Sequence, residues 1–370
     1  MRVLHVVEVS HGGVVSLVRT FAALQASAQH EVHVLAPSEA PRMDAVHHAW
    51  RPVRRSPRRL LAARRTLRRV VLEVRPDVVH LHSFFPGLLG RTGGTATAAV
   101  VYQPHSWAFQ AVGFRPAGRL AAVWESLAMR RTDVLVTNCR DEIDEAARVG
   151  ISAAHRARVI GTPVDTERYR PTASGDRSHL RAQLGLGARY VLVCVGRLSR
   201  QKGQVRLAEV WEHEPVPETL LVLVGPGDPE PVRRAAPTTF GRSLLHVGAQ
   251  EDVRPWLWAA DVCVQPSLYE GQSVAMAEAL ACGVPVVITA VNGAMEAVVG
   301  HHGTPAGGVV PVGDFAGVLE QAAALLSDPR HRAAAAASAR SRAEDIFAQS
   351  QVLARLDEAY LRALEAASSH

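Results

Sequence analysis

Apolar residues in this chain gather in short, nearly continuous runs separated by segments of helical periodicity. RVLHVVEV, EVHVLA, DVVHLHS, AAVVYQ and DVLVTN punctuate the first half; YVLVCVG, TLLVLVG, LLHVG, DVCVQPS and VPVVIT punctuate the second. Runs of this kind predict strands covered on both faces, the habit of parallel sheets. Between them, helices are expected near Ser16 to Ser27, within the basic stretch 51–75, around Trp256 and Trp258, and from about Ser273 to Ala281. The alternation restarts midway, so the expected fold class is α/β with two doubly wound Rossmann-like domains, which suits a length of 370 residues. The boundary falls in GTPVDTERYRP, with TASGD after it as a linker, and the Ala- and Arg-rich residues 333–370 predict a long terminal helix. The expected division is 1–165, 166–345 and a helix over 346–370 that crosses back to the first domain.

Composition narrows the classes. No run approaches the ~18 apolar residues of a spanning helix, and Met1 leads straight into a strand rather than a signal peptide. Cys139, Cys194, Cys263 and Cys282 are scattered, which fits reduced, buried thiols in a cytoplasmic protein better than a disulfide framework or a metal cluster. The formal charge is +6, yet Lys202 is the only lysine among 41 basic residues. So strong a bias points to coding composition rather than to nucleic-acid binding, and no nucleic acid is expected. It also singles out Lys202, because a compact ammonium reaches phosphate oxygens in ways a guanidinium fork does not. Residues 51–75 hold ten arginines, with Leu60, Leu67, Val70, Val71 and Val74 at helical spacing. That pattern predicts an amphipathic helix on the sheet, and the same arginines would suit peripheral contact with an anionic inner membrane surface.

The candidate chemistry lies at strand ends. Ser10-His11-Gly12-Gly13 joins the first strand to the first helix, where glycines let a ligand approach the backbone. No GxGxxG and no GxxxxGK[ST] occurs, which excludes a dinucleotide fingerprint and a P-loop. His105 follows the strand AAVVYQ, flanked by Trp107, and Asn138 ends DVLVTN. His80 and His82 alternate in VVHLHS, where a structural role is expected. In the second half, GRLSRQKG sets Arg197 and Lys202 before a helix, an arrangement suited to a diphosphate and equally compatible with plain surface charge. Glu270 and Glu278 stand with seven residues between them, one in a loop and one inside the following helix. An isolated Glu pair is usually unremarkable; this one has neighbours.

The ordered motifs HGG, PHSW, GRLSRQKG and EGQSVAMAE, with PSLYEG before and EALACGVPVV after the Glu pair, resemble family 4 of the glycosyltransferases over nearly the whole chain. The resemblance implies a GT-B fold, two Rossmann-like domains facing across a cleft, and retaining transfer of a hexosyl group from a nucleotide diphosphate sugar, UDP-sugar favoured. The acceptor would be a small molecule, glycan or lipid. By the same resemblance Arg197, Lys202, Glu270, Gly271, Gln272, Ser273, Glu278, Ala249 and Gly13 bind the donor, with His105, Glu270, Arg197 and Lys202 catalytic. His11, Gly12, Trp107 and Asn138 are acceptor-side candidates. No metal and no cofactor are required, since two cations already face the diphosphate. Two departures stand out: Gly161-Thr162-Pro163 replaces the usual Asn-Gly turn, and Asn292 takes the place of one of two glycines, where a left-handed turn is expected. The alternatives are a nucleotide-sugar 2-epimerase of the same fold and a non-catalytic basic module binding lipid or nucleic acid.

Overall fold

The structure is a computed structural model; it describes residues 1–51, 57–95, 98–109, 116–172, 176–187, 189–300 and 302–369. Part of the basic stretch and the centre of the expected TASGD linker lie outside the described residues. The chain divides into two compact units, Met1–Pro163 with Gln349–His370, and Val164–Ala348.

The first unit is built on a seven-stranded sheet of order β3-β2-β1-β4-β5-β6-β7, parallel throughout. Its strands are β1 (Arg2–Val6), β2 (Glu31–Pro37), β3 (Val46–Trp50), β4 (Val78–His82), β5 (Ala99–Gln103), β6 (Val134–Thr137) and β7 (Ala157–Val159). The helices α1 (Gly13–Ser27), α2 (Pro57–Val74), α3 (Phe84–Leu89), α4 (Pro116–Ala128) and α5 (Arg140–Arg148) cover it. On α2 the residues Leu67, Val70, Val71 and Val74 are buried as their spacing predicts, while Arg58, Arg59, Arg65, Arg68 and Arg69 are exposed. Beneath α3, Arg91 and Glu125 form a fully buried ion pair at 2.7 Å, and the Tyr102 hydroxyl donates to the same carboxylate at 3.0 Å.

The second unit has a six-stranded parallel sheet of order β10-β9-β8-β11-β12-β13. Its elements run α6 (Asp176–Gln183), β8 (Tyr190–Val195), α7 (Gln204–His213), β9 (Thr219–Val224), α8 (Glu230–Ala235), β10 (Leu244–His246), α9 (Arg254–Ala259) and β11 (Val262–Gln265). They continue with α10 (Val274–Ala281), β12 (Val286–Thr289), β13 (Gly307–Val310), α11 (Phe315–Ser327) and α12 (Pro329–Phe347). A single helix over 333–370 is not what forms. Ala348 takes an extended backbone (φ −54, ψ 132), ending α12, and α13 (Gln349–Ser368) begins anew. Within the first unit α13 buries Val352, Leu356, Ala359 and Tyr360 against Val3, Val101 and Val134. The left-handed residue of the Asn292-Gly293 turn is Gly293 (φ 79), so Asn292 need not take the glycine's role expected of it. All four cysteines are buried thiols. Among the described residues no helix is long and apolar enough to cross a membrane.

Candidate active site

In the second unit the sheet's geometry aims two loops at one another. After β8 the chain passes Gly196 and Arg197 to Lys202, then turns left-handed at Gly203 (φ 74) into α7. Only glycine fits there, because a Cβ would lie 2.1 Å from the Pro266 carbonyl oxygen. Gln204 ties the loop down, its amide nitrogen donating to the Arg197 carbonyl at 3.0 Å. The lysine stem runs along Gly196, whose added Cβ would meet Lys202 Cδ and Cε at 3.4 Å. From the other loop, Glu270 closes on Lys202 as an ion pair of 2.6 Å and accepts from the Ser267 hydroxyl at 2.8 Å. The sequence suggested two cations facing one diphosphate; here Lys202 is paired with Glu270, and the Arg197 side chain is exposed.

Next to Glu270 stands α10. Ser273 is its N-cap, the hydroxyl accepting from the Met276 N–H at 3.3 Å, so this side chain is committed to the helix. Gln272 is buried, and neither atom of its amide has a hydrogen-bond partner among the described residues. An orphaned amide of this kind is costly unless something satisfies it. Glu278 lies inside the helix, hydrogen-bonded to Tyr169, and burial raises its carboxyl above the usual range. Ala249 is exposed in the loop after β10, and Gly271 is half-buried.

The first unit presents a second group of candidates. His11, Gly12 and Gly13 are exposed at the start of α1. Gly12 (φ 100) caps the helix without a side chain, and added Cβ atoms at Gly12 and Gly13 would meet nothing within 4 Å. That leaves an open N-terminus. His105 sits in the left-handed region (φ 59), an unfavourable backbone for a non-glycine residue. Its Nε2 lies 2.9 Å from His82 Nδ1; His82 Nε2 lies 2.9 Å from His5 Nδ1; His5 Nε2 lies 2.8 Å from Gln25 Oε1. The amide oxygen can only accept, so His5 donates from Nε2, His82 donates to His5, and His105 donates from Nε2 to His82. The chain thereby leaves Nδ1 of His105 as the accepting nitrogen. Burial lowers His105 to about 3 and His5 to about 4, so the chain is neutral at ordinary pH.

Two acceptor-side candidates have hydrogen bonds within the unit. Asn138 is buried, its Oδ1 accepting from the Gln103 amide at 2.8 Å, and the Trp107 indole N–H donates to the Glu142 carbonyl at 2.7 Å. Trp107 still lines a hollow with His105. Sequence reasoning missed Glu8 in that hollow, a half-buried carboxyl pushed up to about 7 by burial. Its one signal was an acidic residue closing an apolar strand run. It also missed the gathering of His5, His80 and His82, whose ligand-type atoms lie within 4.8 Å of one another. Among the described residues His80 Nε2 lacks a partner, while the His5 and His82 nitrogens bond each other.

These two parallel sheets with their alternating helices are the architecture of GT-B glycosyltransferases. The solved structure of Anabaena HepE in complex with UDP and glucose matches with a TM-score of 0.78 over 97% of this chain and 98% of that one, at 21% identity. Residues 11–168 match the family described as Glycosyltransferase Family 4, and residues 189–328 the one described as Glycosyl transferases group 1. D-inositol 3-phosphate glycosyltransferase 1 of Catenulispora acidiphila is 31% identical over 313 residues, 78% of this chain and 73% of that protein. UDP-Gal:alpha-D-GlcNAc-diphosphoundecaprenol alpha-1,3-galactosyltransferase of Escherichia coli is 29% identical over 229 residues, 59% of this chain and 58% of that protein. The chain belongs to the family 4 glycosyltransferases, and it is a glycosyltransferase.

Proposed function

We propose that the protein moves a hexosyl group from a nucleotide diphosphate sugar to an acceptor hydroxyl with retention of anomeric configuration, and that it needs no metal to do so. The observation that carries this reading is the Lys202–Glu270 ion pair, which joins the loop that carries Arg197 to the loop that leads through Gln272 into α10. A diphosphate would draw the Lys202 ammonium from Glu270, meet Arg197, and take hydrogen bonds from backbone N–H groups at the helix start. Glu270, released, would accept from sugar hydroxyls. In the transfer, the acceptor oxygen bonds to the anomeric carbon as the bond from that carbon to the diphosphate oxygen breaks. The electron pair leaves with the diphosphate, which also takes the hydroxyl proton. Stabilising that departing charge is the chemical task of the cations.

Glu278 is assigned to the ribose hydroxyls, with Tyr169 holding the carboxyl in place. Glu278→Gln keeps the shape and exchanges a charged acceptor for an amide, which should weaken binding of the free nucleoside diphosphate by about 1–2 kcal/mol. Calorimetry with that product checks it; an unchanged affinity removes the ribose assignment.

UDP is the favoured carrier, in keeping with the UDP-Gal in the name of the Escherichia coli relative. A thermal-shift series with UDP, GDP, ADP and dTDP sugars tests the reading, because a ligand bound only by the folded state raises its stability by mass action. One base should stabilise the protein selectively. A flat response to all four contradicts a nucleotide-sugar donor.

A further inference from the structure

The hollow beside His105 lies wholly within the first unit and has a character that donor chemistry does not require. It measures about 720 Å³, within the range of small-molecule sites, and Phe84, Phe85, Leu120 and Trp124 line it together with Glu8 and His105. Phe84 and Phe85 pack edge to face with centroids 5.4 Å apart. Trp124 is half-buried, and its indole N–H meets no acceptor among the described residues. The apolar wall continues outward along α4, where Leu120, Val123 and Leu127 are 71%, 58% and 54% exposed. At positions three and seven apart they form one stripe on the helix. Exposed apolar surface of this continuity marks binding grooves.

The charges point the same way. Among the described residues lining the hollow there is a carboxyl and no lysine or arginine. A phosphorylated acceptor would meet Glu8, and no described lining residue offers a cation to offset it. The polar side chains of the lining are few, Glu8, Ser83, His105 and Ser106, beside four aromatic rings of Phe84, Phe85, Trp107 and Trp124. An apolar body gains from the same walls. Glu8, which burial pushes up to about 7, lines the hollow together with His105.

We infer that this hollow is the acceptor site and that the acceptor carries its hydroxyl on an apolar body, an aromatic phenol or a lipid alcohol. The inference rests on the glycosyl-transfer reading above. Glu8 orients the acceptor hydroxyl, and the apolar body lies against Phe84, Phe85, Trp124 and the α4 stripe.

The test supplies the full chain with its stabilising nucleotide sugar and one of four acceptors: a hydroxycoumarin, farnesol, inositol 3-phosphate or methyl glucoside. Product is followed by mass spectrometry against the background of donor hydrolysis. Transfer to the coumarin or to farnesol at about tenfold or more above background is expected, and which of them reacts distinguishes the phenol from the lipid alcohol. Trp124→Ala and the surface variant Leu120→Asp should each raise the KM for that acceptor about fivefold or more, with nucleoside diphosphate affinity unchanged. Leu120→Asp keeps the test intact should Trp124→Ala fold poorly. Apolar acceptors at background, or a KM indifferent to Leu120→Asp and to any folded Trp124→Ala, overturn the inference. In either case intact nucleoside diphosphate binding leaves the donor reading standing, and only its loss in the unaltered protein would bring that reading down.

Discussion

A folded Lys202→Ala variant should turn over about thirtyfold to a thousandfold more slowly, the equivalent of roughly 2–4 kcal/mol of lost charge stabilisation. Two changes act in the same direction. The ammonium that would meet the diphosphate is gone, and Glu270 loses the partner that stood 2.6 Å away. Its carboxylate, with only 9% of the side chain exposed, would then repel the anion that the site is assigned to hold. Lys202→Arg is expected to rescue incompletely, because the slender lysine stem is packed along Gly196 and a planar guanidinium presents different geometry. Steady-state kinetics paired with a melting curve checks the claim. Near-normal turnover in a variant that melts normally would remove Lys202 from the diphosphate site.

His105→Ala should lower the catalytic rate by about a hundredfold to a thousandfold, as for loss of a preorganised hydrogen-bonding group, while nucleoside diphosphate affinity changes less than about threefold. The separation follows from position: His105 belongs to the first unit, and Arg197, Lys202, Glu270 and Glu278 belong to the second. The chain through His82, His5 and Gln25 leaves the accepting nitrogen of His105 available and, at a value near 3, keeps the ring neutral above acidic pH. His105 orients sugar or acceptor hydroxyls in this account and is not required as a general base. Because its backbone is left-handed, His105→Gly removes the imidazole and relieves the strain together. A stable but slow His105→Gly protein would therefore separate chemistry from folding. Loss of nucleotide binding in either variant, or untouched transfer, would return the residue to a structural role.

The architecture was legible where strands are buried on both faces. TLLVLV and YVLVCV allow little else than central parallel strands, and the alternation of such runs with helices carried the fold class. The edges were not legible. In β3, Val46, His47 and Ala49 are exposed, so no apolar run announces a strand; β7 has three residues and β13 opens with two glycines. The break at Ala348 carries no glycine or proline. It is held from a distance, by the Val164 N–H donating to the Phe347 carbonyl at 2.7 Å and by a bridge between Val164 and Ala348.

At the candidate site, short motifs pointed to Arg197, Lys202, Glu270 and Glu278 because each sits in a contiguous loop-to-helix segment. What those side chains do to one another could not be read that way. The Lys202–Glu270 pair joins loops of different strands, and Tyr169 reaches Glu278 from the segment after the first unit. The histidine chain draws on β1, α1, β4 and the turn after β5, which become neighbours only when the sheet forms. Asn138 and Trp107 look polar and available in sequence, yet Gln103 engages the Asn138 Oδ1 and the Glu142 carbonyl takes the Trp107 N–H.

The most direct test of the account is proton NMR of the preferred nucleotide sugar incubated with the protein and an apolar alcohol, following the anomeric signals from the first minutes. Loss of the donor signal and growth of a product signal with the donor's own anomeric configuration are expected, with the nucleoside diphosphate released in equal amount. An inverted product would contradict retention. A donor converted to an isomeric sugar without acceptor would mark an epimerase instead, and a donor left unchanged by a protein that does not bind it would contradict the donor site itself.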